Sequence, residues 1–304
     1  MSKAKIAVIG AGLMGHGIAQ VFALAGHEVT VTDTVMKNLD SLEARIAANL
    51  RDLGDDETAV SRVRPCVDLG DAVRDADYVV EAVFEDLALK QKLFAEIEGH
   101  IRDDTILASN TSVIPITSIT SGLKRRERAL GTHWWNPPFL VPLVEVIETQ
   151  WTSPETVAWT MELHRAAGKE PAHVKKDVPG FIGNRLQHAL WREAITLVEQ
   201  GICDAQTVDA VIKASFGRRL AVLGPLENAD LVGTDLALAV HNVVLPAIDS
   251  RPSASPYLQG LVADGKLGFK SGEGFRKWSQ AEQADLRAKL VAHLKAARGR
   301  EKVK

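Results

Sequence analysis

The sequence predicts an α/β fold in its first part, a mostly parallel sheet with helices between strands, and an all-helical second part. Three observations predict it. Short β-branched runs alternate with helical patterns over residues 5–174, as in parallel strands joined by crossover helices. Pro179-Gly180 then punctuates the chain, and past it only helical spacing recurs. The length, 304 residues, suits about two domains with full cores. The predicted division is residues 1–179 and 180–304.

Residues 5–9 form the first strand, and Gly10-Ala11-Gly12-Leu13-Met14-Gly15 leads from it directly into a helix. Residues 28–33 are the second strand, and 35–53 have helical spacing. Residues 55–64 are polar with no clear strand. Val67-Asp68-Leu69 starts a short strand or turn before a helix over 71–75. Strands follow at 77–83, 105–109, 129–133, 141–147 and 171–174, with helices at 86–100, 116–120 and 154–167. In the second domain, 182–200 and 206–214 read as helices. The stretch 226–249 is apolar enough for a buried helix or a pair of them. Residues 281–298 form a terminal helix of alternating charge, and the basic tail 295–304 reads as a solvated helix end.

The first turn carries the earliest chemistry. A strand, GxGxxG and a helix in that order are what a dinucleotide fingerprint requires. Gly10 permits the tight turn, Gly12 lets the backbone approach a pyrophosphate, and Gly15 lets the helix pack on the strand. Leu13 and Met14 complete the turn, and the helix start offers free N–H groups to phosphates. Asp33 ends the second strand about 20 residues on, where an acid accepts from ribose hydroxyls and repels a 2′-phosphate. No arginine follows Asp33 closely. The first domain therefore reads as a Rossmann-like unit that binds NAD rather than NADP.

Composition narrows the partners. The 36 basic and 39 acidic residues give a net charge of −3, which argues against nucleic acid. Cys66 and Cys203 are far apart with no metal-ligand spacing around them, so they fit a reducing compartment and no metal site. The start of the chain leaves no room for a signal peptide, and no run reaches the length of a membrane helix. A cytoplasmic protein acting on a small molecule is expected.

NAD implies hydride transfer, which calls for a group to take a hydroxyl proton. His133 closes a strand at the carboxyl edge of the sheet, where ligands of such folds bind. Glu145 lies twelve residues on, inside the apolar run Val141-Pro142-Leu143-Val144-Glu145-Val146-Ile147, where an acid is costly unless paired. The pair reads as a general base and the carboxylate that holds its tautomer.

On the motifs GAGLMGHGIAQVFALAGHEVTVTD, VVEAVFEDLALKQKLF, ILASNTSVIPITSI, HWWNPP…PLVEV, VPGFIGNRL and GFKSGEGF, the chain resembles the 3-hydroxyacyl-CoA dehydrogenase family over most of its length. The resemblance implies NAD-dependent oxidation of a 3-hydroxyl to a 3-keto group and a helical second domain that dimerises. It implies His133 as base, Glu145 as its partner, Ser112 on the reacting oxygen and Asn184 polarising it. It also implies that Glu85, Lys90, Asn110, Asn136 and Lys270 line the cofactor. Read without it, Ser112 is a helix cap and Lys90 a solvated helix charge.

The chain departs from the CoA-acting members in two places. They carry a Lys-bearing helical excursion after the second strand, whereas this chain has the short acidic Asp52-Leu53-Gly54-Asp55-Asp56-Glu57. Their Pro-Met-Gly-Pro turn is replaced by Arg218-Arg219-Leu220-Ala221-Val222-Leu223-Gly224-Pro225, similar to the lambda-crystallin/L-gulonate 3-dehydrogenase and carnitine dehydrogenase branch. A guanidinium suits a free carboxylate, which makes Arg219 the candidate substrate anchor. The substrate expectation leans to a small free 3-hydroxy carboxylate. A 3-hydroxyacyl-CoA such as 3-hydroxybutyryl-CoA and a pyridine carboxylate of vitamin B6 breakdown stay open, as does a non-catalytic, crystallin-like NAD binder.

Overall fold

The computed structural model describes residues 3–301, so the last residues of the basic tail, 302–304, lie outside it. The chain forms two compact units, Met1–Arg185 with Ala292–Lys304, and Leu186–Val291.

The first unit is built on one sheet. Its strands are β1 (Lys5–Ile9), β2 (Glu28–Thr32), β3 (Val63–Pro65), β4 (Tyr78–Glu81), β5 (Ile106–Ser109), β6 (Ala129–Trp134), β7 (Leu143–Ile147) and β8 (Glu170–Val174), in the order β3-β2-β1-β4-β5-β6-β7-β8. Every neighbouring pair is parallel except β6–β7, so the mostly parallel sheet expected is the one observed. The helices are α1 (Gly15–Leu24), α2 (Met36–Asp40), α3 (Leu42–Leu53), α4 (Leu69–Val73), α5 (Leu87–Glu98), α6 (Ile116–Thr120) and α7 (Pro154–Ala166). Val8, Val80 and Ala108 pack on one face of the sheet with Phe22, Ile46, Tyr78 and Trp134. Ala7, Val79 and Leu107 pack on the other with Phe94 and Ile97. Both faces of the strands are covered, which is why they read as unbroken apolar runs. Asp86 and Ser153 cap α5 and α7 through Leu89 N and Thr156 N. At α1, by contrast, Met14 supplies no side-chain cap, and apart from His16 N, which bonds Gly12 O at 3.3 Å, the donors at this helix start can meet an anion.

Several local expectations are corrected. Residues 35–53 form two helices, α2 and α3, that meet at Ser41, whose hydroxyl donates back to Lys37 O at 2.8 Å. The polar stretch 55–64 contains a 3₁₀ turn, Glu57–Arg62, and the start of β3. A three-residue strand containing Arg64 and Pro65 has no readable periodicity, and an edge position tolerates the proline. Of the strand or turn expected at Val67-Asp68-Leu69, a bend at Val67 is what forms, and Asp68 caps α4 through Asp71 N at 2.8 Å, so the helix runs from Leu69 to Val73 instead of 71–75. The basic tail is not simply solvated. Lys295 Nζ meets Asp52 Oδ2 at 2.6 Å and Arg298 Nη2 meets Asp55 Oδ2 at 2.7 Å.

The second unit is helical, as expected, with α8 (Gly183–Glu199), α9 (Ala205–Ala214), α10 (Pro225–Val232), α11 (Thr234–Val244), α12 (Pro256–Ala263) and α13 (Gln280–Glu301). The end residues of α8 and α13 belong to the first unit. The stretch 226–249 is a pair of helices, broken where Gly233 takes φ +98°, but it is not buried. Leu226 is 79% exposed and Val243 76%. Apolar content reports a need for cover, and the described residues do not supply it.

Candidate active site

The antiparallel register of β6 and β7 sets His133 directly opposite Glu145. Side chains paired this way leave the sheet on one face within reach of each other, so a spacing of twelve residues becomes a contact. His133 Nδ1 lies 2.8 Å from Glu145 Oε2, and both side chains are buried. The other carboxylate oxygen accepts the main-chain N–H groups of Ile182 and Gly183 at 2.9 and 3.0 Å. These donors come from a turn in which Gly180 and Phe181 both take positive φ, +76° and +51°. For a bulky residue such as Phe181 that conformation costs on the order of 1–3 kcal/mol. Phe181 is buried, with its ring 5.6 Å from the imidazole, and Trp135 lies 5.4 Å from it. Burial pushes the Glu145 carboxyl up, but the His133 bond and the two main-chain donors outweigh it and hold the group below its ordinary range. An ionised carboxylate on Nδ1 places the imidazole proton there and leaves Nε2 as the basic nitrogen. Gly183 has to be small, because a Cβ there would stand 2.5 Å from Trp135 Cζ2 and 3.4 Å from Glu145 Oε2.

Ser112 is exposed on the loop after β5. Glu85 Oε1 takes Thr111 Oγ1, Ser112 N and Val113 N at 2.5, 2.8 and 3.1 Å, while Ser112 O accepts Asn184 Nδ2 at 2.9 Å. The loop is therefore held from both sides through its main chain. Ser112 caps no helix, since α6 starts at Ile116 after Pro115. Lys90 is 1% exposed, and its ammonium bridges Glu81 at 2.6 Å and Glu85 at 3.4 Å, so it is not a solvated helix charge. Glu81 is the residue sequence reasoning missed. It is fully buried and also accepts from Ser109 Oγ at 2.6 Å and Val83 N at 2.7 Å. The available signal was the one that marked Glu145, an acid inside an apolar run, here Val79-Val80-Glu81-Ala82-Val83. Asn110 Oδ1 accepts Trp134 N at 2.9 Å, tying β5 to β6. Asn136 is exposed just past β6.

At the glycine turn, Gly10 takes φ +102°, and a Cβ on it would meet Ala82 O at 2.7 Å. A Cβ on Gly15 would meet Gly10 O at 1.7 Å. The fold itself requires both glycines. Around Gly12 a Cβ would meet nothing within 4 Å, so the fold does not need this glycine, and the space it leaves fits a pyrophosphate against bare backbone. Leu13 is 67% exposed beside it. Asp33 accepts Ala11 N at 2.7 Å and Val35 N at 2.8 Å, which sets it beside the turn. Arg219 and Lys270 are exposed residues of the second unit.

Comparison with known proteins gives the family of the chain. Residues 5–178 match the 3-hydroxyacyl-CoA dehydrogenase NAD binding domain, and residues 180–278 match the 3-hydroxyacyl-CoA dehydrogenase C-terminal domain. The chain is 37% identical to 5-formyl-3-hydroxy-2-methylpyridine 4-carboxylate 5-dehydrogenase of Mesorhizobium japonicum, covering 97% of this chain and 99% of that one. It is 38% identical to a probable 3-hydroxybutyryl-CoA dehydrogenase of Deinococcus radiodurans, covering 90% of this chain and all of that one. A crystal structure of a 5-formyl-3-hydroxy-2-methylpyridine 4-carboxylic acid 5-dehydrogenase, described as an NAD+ dependent dismutase, superposes with a TM-score of 0.91 at 36% identity over 98% of both chains.

Proposed function

The chain belongs to the 3-hydroxyacyl-CoA dehydrogenase family, and we propose that its substrate is a small free carboxylic acid, with pyridine carboxylates ahead of aliphatic 3-hydroxy acids, rather than a CoA thioester. As a member it is an NAD-dependent dehydrogenase acting on hydroxyl groups. The observation that carries the substrate reading is the acidic end of α3 and the loop after it. Asp52 in the last turn of the helix and Asp55 in the loop are engaged by Lys295 and Arg298 of the chain's own last helix, at the place where the family resemblance puts a lysine-bearing excursion used on CoA. Neutralised acids offer nothing to a CoA phosphate. The near full-length likeness to the pyridine-carboxylate enzyme supports the same reading.

In this reading Gly10, Gly12, Gly15 and Asp33 would hold NAD, which would supply the hydride acceptor. His133 Nε2 takes the hydroxyl proton, and Glu145 stabilises the imidazolium that results. Asn184 gives one N–H to Ser112 O and keeps a second for the substrate oxygen, which the Ser112 hydroxyl also meets. Glu85 keeps that loop in place, and Asp33 holds the ribose. Arg219 receives the carboxylate.

NADH formation with two panels tests this, one of free hydroxy acids and pyridine carboxylates and one of L-3-hydroxyacyl-CoA esters, on wild type and Arg219→Met. Turnover of a free acid, with KM raised about tenfold or more by the substitution, supports the reading. Turnover of CoA esters alone, unaffected by Arg219→Met, contradicts it.

The reading also makes the protein a cytoplasmic homodimer. Exposed Leu226, Leu231, Leu238 and Val243 on α10 and α11 support the pairing, and the free thiols of Cys66 and Cys203 support the compartment. Light scattering checks the pairing, for which a monomer mass is the contrary result.

A further inference from the structure

Twelve residues past Asp33, the fold brings a cation back to the phosphate turn. Arg45, partly buried on α3, donates from Nη2 to Ala11 O at 2.7 Å and to Asn38 O at 2.8 Å. The same two residues give hydrogen bonds to Asp33, from Ala11 N at 2.7 Å and from Asn38 Nδ2 at 3.0 Å. Carboxylate and guanidinium thus grip opposite ends of the same pair of residues. They do not form an ion pair, and no carboxylate among the described residues lies within 4.0 Å of Arg45. Arg45 Nε is buried without an acceptor, and Nη1 has no hydrogen-bond partner among the described residues. The guanidinium's charge is felt at the turn: burial lowers the affinity of His16 for a proton, the bond to Gly12 O opposes this, and Arg45 adds to the lowering. A planar cation with donors to spare, set beside the acid that marks the ribose 2′ position, is what an NADP site uses for the 2′-phosphate.

We propose that Arg45 is a latent 2′-phosphate ligand, so that Asp33 alone keeps the chain on NAD. Discrimination then rests on the repulsive element, the carboxylate, more than on any missing attraction. Lack of a nearby arginine in the sequence does not make the site blind to a phosphate, because the cation arrives from the next helix.

The test is a set of dissociation constants, measured by calorimetry for NAD+ and NADP+ on wild type, Asp33→Ser and Asp33→Ser/Arg45→Met. The two ligands differ only by the 2′-phosphate, so the NADP+/NAD+ ratio within each variant cancels general loosening of the turn. Asp33→Ser is expected to shift that ratio toward NADP+ by about a hundredfold, and adding Arg45→Met to reverse at least about tenfold of the shift. Asp33→Asn, which removes the charge and keeps the side-chain shape, serves if the serine variant does not fold. A ratio that moves in the single variant and is unchanged by adding Arg45→Met overturns the proposal, leaving Arg45 as a clamp on Ala11. A ratio that does not move in either Asp33 variant overturns it as well.

Discussion

Among the described residues, two histidine–glutamate pairs sit in this domain at the same separation. His133 Nδ1 is 2.8 Å from Glu145, and His173 Nε2 is 2.8 Å from Glu148. The second pair is 31% exposed on both sides. Glu145 is given two further main-chain donors by a strained turn, and rings of Trp135 and Phe181 flank His133. On the function proposed above, the difference teaches that distance alone does not make a catalytic dyad. What sets His133 apart is the tautomer imposed through Nδ1, the exclusion of water, and a carboxylate whose remaining oxygen is already satisfied.

The strongest way to break the comparison is to remove each imidazole. His133→Gln is expected to lower kcat about a thousandfold, within the usual range for a general base, while His173→Gln leaves steady-state rates within about twofold. Equal losses would erase the distinction. The carboxylates come next. Glu145→Gln should cost about a hundredfold or more in kcat through the wrong tautomer, and Glu148→Gln almost nothing. The Glu145 exchange also has a pH signature. A carboxyl held below its ordinary 4.5 contributes stability at pH above that value and loses it as pH falls through the folded value. Denaturant titrations should therefore show a shallower acid-side decline in Glu145→Gln.

A smaller, sharper perturbation leaves both dyad residues in place. Gly183→Ala drives a Cβ to 2.5 Å from the Trp135 ring, beside Glu145. Displacing the pair by a fraction of an ångström should lower kcat about tenfold to a hundredfold with little change in the NAD dissociation constant. A third histidine gives the smallest effect. His164 is fully buried among Phe22, Tyr78 and Trp134, and burial depresses it to about 4 from 6.5. The unfolded chain takes up that proton first, so stability falls as pH drops from 6.5 toward 4, by up to about 3 kcal/mol. His164→Phe should flatten that limb of the urea-unfolding curve without touching kcat.

Much of this was legible because a few residues combine local and long-range signals. The glycine turn and Asp33 specify a strand–turn–helix by backbone need alone, and an acid within an apolar run marks Glu145 as paired. The register that joins it to His133 was not legible, since residues 135–142 between the strands have no periodicity. Glu81 was overlooked although it carries the same mark, because its partner Lys90 reads as an ordinary helix lysine until α5 is docked. Asp52 and Asp55 announce a charge, but their counter-ions come from more than two hundred residues away. The strain at Phe181 has no sequence signature beyond the preceding Pro-Gly. In the second unit, composition identified helices but not that α10 and α11 would stay uncovered within one chain.

The most direct test of the central claim is imidazole rescue of NADH formation in His133→Ala, measured with whichever hydroxy acid the wild type turns over. The account predicts a variant that binds NAD normally, is nearly inactive, and regains rate in proportion to added imidazole, with no such response from Glu145→Gln. A His133→Ala enzyme that keeps most of its kcat without imidazole would contradict the assignment of His133 as the base.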